Sequence, residues 1–190
     1  FHLRLITKIR FFASFGAGGV IYLTSLIFNN IGLSATEIGL GFTISAIIGT
    51  LTRFFTGNYL NKTGKIQNPL VISSLISITA GCFLIISKDA YFYIIGQALI
   101  GAAAGIYWPA SEFAVPYFCH PIDTRKAYAL VRSFEALGIF LGVFIGGFMN
   151  NFIYLKSIFI NDIFCMITII CLILRNKTSI QNTLESAQKT

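Results

Sequence analysis

The sequence predicts an all-α, polytopic membrane protein of six transmembrane helices, and three observations carry that expectation. Only 11% of the 190 residues are charged while 55% are hydrophobic, against about 25% charged in soluble domains. The apolar residues gather into six runs, each close to the roughly 20 residues that a helix needs to cross the hydrocarbon core. The Lys and Arg residues fall mostly between these runs, so the formal charge of +7 reads as membrane topology and not as a nucleic-acid surface.

Phe1 to Arg10 form a short basic lead, and the first span is expected at about 11–28, with Gly16, Gly18 and Gly19 making a small-residue face for close helix contact. A basic start before an apolar run also describes a signal peptide. Against that, the run is long, lacks a small-x-small cleavage site and is followed by five more. A polar link, Asn29 to Glu37, leads to a second span at about 38–60, and Pro69 opens a third at about 69–87. Ser87-Lys88-Asp89 reads as a tight turn before a fourth span at about 91–118, interrupted by Pro109 and Pro116. The fifth and sixth spans are expected at about 127–149 and 152–174, and residues 175–190 as a polar tail or the start of a linker. A first residue of Phe, not Met, predicts a piece of a longer chain. The four cysteines include no C-x-x-C pair, so neither a disulfide framework nor a metal site is expected, and no cofactor.

Charge fixes the expected orientation. With the N-terminus inside the cell, ten of the 14 Lys and Arg residues fall in cytoplasmic segments. Only Lys88 and Lys156 fall in external links, while Arg53 and Arg132 lie within spans. The positive-inside rule then puts both termini in the cytoplasm of a cell-membrane protein.

Between the second and third runs lies Gly57-Asn58-Tyr59-Leu60-Asn61-Lys62-Thr63-Gly64-Lys65-Ile66-Gln67. Gly57 is expected to let two helix backbones approach, Asn61 to satisfy helix-end groups and Gly64 to permit the reversal. Lys62 and Lys65 favour the cytoplasmic side. The stretch resembles the major facilitator superfamily signature G-x-L-(A/G)-D-R-x-G-R-(R/K), with Tyr59 at the Leu and Asn61 at the Asp. Gln97 to Gly105, containing Gly101 and Gly105, resembles the family's R-x-x-x-G-x-x-x-G run, with Gln97 at the Arg. Gly138 to Gly147, containing Gly142 and Gly146, resembles its G-x-x-x-G-P-x-x-G-G pattern, with Val143 at the Pro. Small-x-x-x-small packing alone explains either stretch; their order on successive helices favours the family.

The resemblance implies two inverted three-helix repeats forming the N-terminal half of a facilitator. Gly57 and Asn61 ending the second helix, and Gly147 and Asn151 ending the fifth, echo that repeat. It further implies a secondary transporter moving a small-molecule substrate by alternating access, partnered by a C-terminal six-helix half or a second copy, with Gly57, Asn61, Lys62, Gly64 and Lys65 as the gating loop. Protons are an open co-substrate: Asn61, Gln97 and Val143 each depart from positions that the family associates with gating or proton exchange.

Ionisable residues inside apolar runs point to function, because each costs about 2.5–3.5 kcal/mol at the helix centre on insertion scales. Arg53, Glu112, Arg132, Glu135 and Asp162 qualify. Glu112 lies about 9 Å from the inner end of its helix and Arg132 about 10 Å into the next, which predicts an ion pair, with Glu135 on the same face sharing Arg132. These three, with Tyr107 and Trp108 near mid-depth and Tyr22 in the first span, are the candidate substrate pathway; the bland alternative is an ion pair that only fixes helix register. Arg53 is read as snorkelling and Asp162 as a hydrogen-bonded or water-exposed carboxylate near the outer end of its helix, while His2 and His120 read as surface residues. Two other readings stand beside transport: a six-helix substrate-capture subunit of an energy-coupled vitamin importer, and a non-transporting structural or regulatory subunit. With no Gly-x-Ser-Gly and no His in a span, an intramembrane enzyme is not expected.

Overall fold

The structure, a computed structural model, describes residues 2–119, 122–152, 156–178 and 180. Six helices follow one another: α1 (His2–Ile31), α2 (Ala35–Thr63), α3 (Gln67–Ile86), α4 (Ala90–Phe118), α5 (Thr124–Phe152) and α6 (Ser157–Arg175). Each contains a stretch long and apolar enough to cross a membrane, so the chain is an all-α, multi-pass membrane protein. His120 and the tail from 181 lie outside the described residues.

The helix ends follow local chemistry. Ser34 caps α2 in a capping box: its hydroxyl accepts from the Glu37 amide, and the Glu37 carboxylate accepts from the Ser34 amide at 2.8 Å, which satisfies two otherwise orphaned donors. The other end of α2 closes on Gly64 in the left-handed conformation (φ 63°), with its amide donating to Leu60 O at 2.8 Å, a geometry that a side chain would oppose. Asp89 caps α4 by accepting from the Phe92 amide at 3.1 Å.

Three boundaries differ from the sequence expectation. Residues 2–10 are not a lead but the first turns of α1, because Leu3, Ile6 and Ile9 bury their side chains in the bundle while Arg4 and Lys8 stay exposed. Phe152 ends α5 and does not begin α6. The tail does not leave the bundle at residue 175: Ile180 is buried in the core beside Leu60 and Ile66, and Gln67 donates to Lys177 O at 2.7 Å.

Helix neighbours reveal the repeat. α1 packs on α5 and α6, α4 packs on α2 and α3, and α3 packs on α6. Exchanging α1, α2 and α3 for α4, α5 and α6 maps this set onto itself. Arg10 near the start of α1 meets Ser111 and Glu112 near the end of α4, and Gln67 at the start of α3 meets the chain just past α6. The exchanged partners therefore run antiparallel, which is the inversion.

Glycines set the two equivalent crossings. On α4, Gly101 and Gly105 lie against the backbone of Ser45 and Gly49 on α2; on α5, Gly138 and Gly142 lie against that of Phe11 and Phe15 on α1. A Cβ at Gly138 would sit 2.7 Å from Phe11 O. Gly146 continues the α5 stripe, where a Cβ would lie 3.0 Å from Ile158 Cγ2. At Gly57 no neighbouring helix among the described residues comes within 4 Å of the place its Cβ would take, and within this chain the close approach on α2 falls at Gly49. The echo at Gly147 is also in open space and falls out of the register that these crossings define.

At the far end, the Lys156 ammonium donates to Ile85 O at 2.9 Å and to Ser87 O, and stands 5.3 Å from the Phe28 ring centroid. Burial and the neighbouring Lys88 hold its pKa below the ordinary lysine range. Leucine substitutions test the crossings: Gly105→Leu and Gly142→Leu should each lower the stability of the purified protein by about 2 kcal/mol or more through overpacking, whereas Gly57→Leu should change it by under about 0.5 kcal/mol, read by thermal unfolding in detergent.

Candidate functional site

α1, α4 and α5 bring four charges together. Arg10 donates from Nε and Nη2 to Glu135 Oε2 at 3.0 and 2.9 Å, and Nη2 also meets Glu112 Oε1. Arg132 Nη2 lies 2.7 Å from Glu112 Oε1, and its Nη1 donates to both Glu135 oxygens at 3.1 and 3.0 Å. Each arginine thus bridges both carboxylates in a closed, charge-neutral ring. Planar guanidinium groups suit this role because each presents several donors in one fork.

Neighbouring residues fix the ring. Ser111 accepts from Arg10 and donates to Trp108 O at 3.1 Å, while the Trp108 ring lies 4.5 Å from the Arg10 guanidinium carbon, a cation–π distance. The Tyr107 hydroxyl donates to Ile9 O at 3.3 Å, and the Tyr128 hydroxyl to Glu112 O at 3.2 Å. The ring is enclosed at one end and open at the other: Arg10 is 1% exposed, Arg132 57%.

Glu112 and Arg132 thus stand in contact at the level expected from helix length, and Glu135 shares Arg132. Tyr107 and Trp108 also line a cavity of about 70 Å³ between α1, α3, α4 and α6. Tyr22 stands apart, exposed on α1. Lys62 and Lys65 are exposed at the end of α2 and in the turn after it. Asn61 is exposed on α2 and makes no side-chain hydrogen bond among the described residues; Thr63 takes the expected role, its hydroxyl accepting from the Lys65 amide at 3.3 Å and donating to Tyr59 O. Asp162 is buried and not water-exposed, accepting from the Ser77 hydroxyl at 3.0 Å.

Arg10 is the residue that the sequence reading missed, having been counted with the loop cations. The signal was present in the helical period, since Leu3, Ile6 and Arg10 share one face while Arg4 and Lys8 occupy another. Its removal should leave two glutamates short of a partner. Arg10→Ala is expected to cost about 3–5 kcal/mol, and the paired change Arg10→Met with Glu135→Leu less than that, measured by thermal unfolding in detergent.

Two comparisons place these features. The family model described as Major Facilitator Superfamily matches residues 9–189. A protein described as "Transcription regulatory protein OpdE" from Pseudomonas aeruginosa is 25% identical over 118 residues, which cover 62% of this chain and 29% of that protein. The chain thus matches under a third of that relative's length. With six apolar helices in two inverted triplets and a match over nearly all its length, the chain belongs to the Major Facilitator Superfamily.

Proposed function

We propose that the chain forms the N-terminal half of a secondary transporter that moves a small solute across the cell membrane by alternating access. The observation that carries this reading is the four-charge ring inside the bundle. Burying charges in a membrane protein is costly, and here one end of the ring, at Arg132, is open to a polar ligand. A solute group that pairs with Arg132 or Glu112 would exchange one ion pair for another at little net electrostatic cost. Tyr107 and Trp108 position Arg10 behind it. Tyr22, exposed on α1, adds an aromatic surface to the pathway.

A second half completes the pathway. Leu51, Phe54 and Phe55 on α2, and Phe134, Phe140 and Phe144 on α5, are exposed, and they supply apolar faces for six further helices or a second copy. The two halves rock about the central site, with the Gly57–Lys65 turn and both termini on the cytoplasmic side. Gly64 sets the turn, while Asn61, Lys62 and Lys65 present polar groups to the partner half.

The description of the Pseudomonas relative as a transcription regulatory protein favours a second reading, in which the protein senses a solute and controls gene expression without moving it. Uptake separates the two. The full-length protein in liposomes, offered a solute panel at two pH values with and without an uncoupler, should accumulate a solute; binding without accumulation would support sensing. Charge reversal tests the ring: Glu112→Arg or Arg132→Glu alone should lower uptake at least about tenfold, equivalent to about 1.4 kcal/mol, and the double swap should not restore it, because it sets like charges against Arg10 and Glu135. Wild-type uptake in both single variants would remove the ring from the pathway. Cysteine labelling from one side should reach position 62 only from the cytoplasm.

A further inference from the structure

The two helices joined by the Gly64 turn leave a space between them. α2 and α3 both pack on α4 but hardly touch each other. Near the turn they part around a cleft of about 290 Å³, walled by Phe55 and Tyr59 of α2 and by Asn68 and Ile72 of α3, with Ile106 of α4 as its floor. Among the described residues no charged side chain lines it, and Phe55, Tyr59 and Ile72 are exposed along its open side. In a bilayer such a cleft favours an acyl chain, whose methylene groups supply the dispersion contacts that bare walls lack.

The mouth of the cleft, next to the turn, is polar. The Asn68 amide donates to the Tyr59 hydroxyl at 3.5 Å, which leaves the phenol proton and a second amide proton to donate outward. Lys62 stands three residues beyond Tyr59 and seven beyond Phe55, hence on the same face of α2, and Lys65 follows Gly64. Both lysines are exposed, and among the described residues neither has an ion-pair partner. No Asp or Glu occurs between Glu37 and Asp89, so α2 beyond its first turn, the turn itself and all of α3 offer cations and neutral donors only. That set suits a phosphate. A zwitterionic headgroup would bring an ammonium group with no acid on these elements to meet it; an anionic headgroup brings none.

We propose that the α2–α3 cleft is a site for an anionic phospholipid. One acyl chain lies over Ile106 between Phe55 and Ile72, and the phosphate meets Lys62, Lys65, Tyr59 and Asn68. In the orientation proposed above, the lipid comes from the cytoplasmic leaflet, whose surface is negative. It stands at the seam where the second half approaches, and its phosphate answers the lysines that the turn presents there.

Native mass spectrometry of the full-length protein, extracted from vesicles of equal parts phosphatidylglycerol and phosphatidylcholine, tests the site without any solute. Phosphatidylglycerol should be retained at least about fivefold over phosphatidylcholine, and Lys62→Gln with Lys65→Gln should remove that preference. Lys88→Gln, beyond the other end of α3, should keep it. Ile72→Trp, at the exposed edge, should narrow the cleft and lower retention of the lipid. Equal retention of the two lipids, an unchanged preference in the lysine double variant, full retention in Ile72→Trp, or displacement of the lipid by free glycerol phosphate would overturn the proposal. A photoactivatable phosphatidylglycerol should label the 55–72 segment; label confined to other segments would mean that the second half fills the cleft, and would overturn it too. Uptake plays no part in these readouts, so the transport reading stands or falls separately.

Discussion

The close approach of glycine to backbone carbonyl, at the two equivalent crossings, is the contact on which the bundle depends. In lipid, burying another leucine between helices gains little, because acyl chains are as apolar as leucine. Association rests on dispersion and on backbones near enough to use it. Gly101 and Gly105 give α4 that proximity to α2, and Gly138 and Gly142 give it to α5 against α1. The two crossings are related by the repeat, yet their glycines are not: in one they lie on the leading helix of a triplet, in the other on its second helix. What the repeat preserves is a distance between backbones, and either partner can supply the missing side chain.

Those crossings bring α1 and α5 together closely enough for Arg10 to reach Glu135 while α4 presents Glu112 from the other side. A ring of alternating charges tolerates burial where a single pair would not, since each group keeps two opposite neighbours and few lone pairs are wasted. Its weakness is collective: taking away one member exposes two others to the low dielectric.

Much of this was legible in the sequence for a plain physical reason. Span number follows from the length of apolar runs, and the depth of Glu112 and Arg132 from helix rise, so the sequence alone sets the two level. Gly64 could be read because a reversal needs a positive φ that glycine alone takes without strain. Arg10 could not be read from charge alone, because loop cations and buried cations look the same until helical phase is applied. A glycine in a membrane helix such as Gly57 signals proximity without naming a partner, and among the described residues the close approach on α2 is made at Gly49, against Gly101. That Asp162 is hydrogen-bonded and buried, and not water-exposed, could not be chosen from sequence, because position along a helix says nothing of which side faces the neighbours.

The seam between α3 and α6 is tied at three heights. Lys156 clasps the carbonyls that end α3, Ser77 bonds Asp162 midway, and Gln67 holds the chain just beyond α6. A joint pinned at both ends and the middle cannot slide along its length. α3 and α6 therefore shift only together, whereas among the described residues no side-chain hydrogen bond ties α2 to α5.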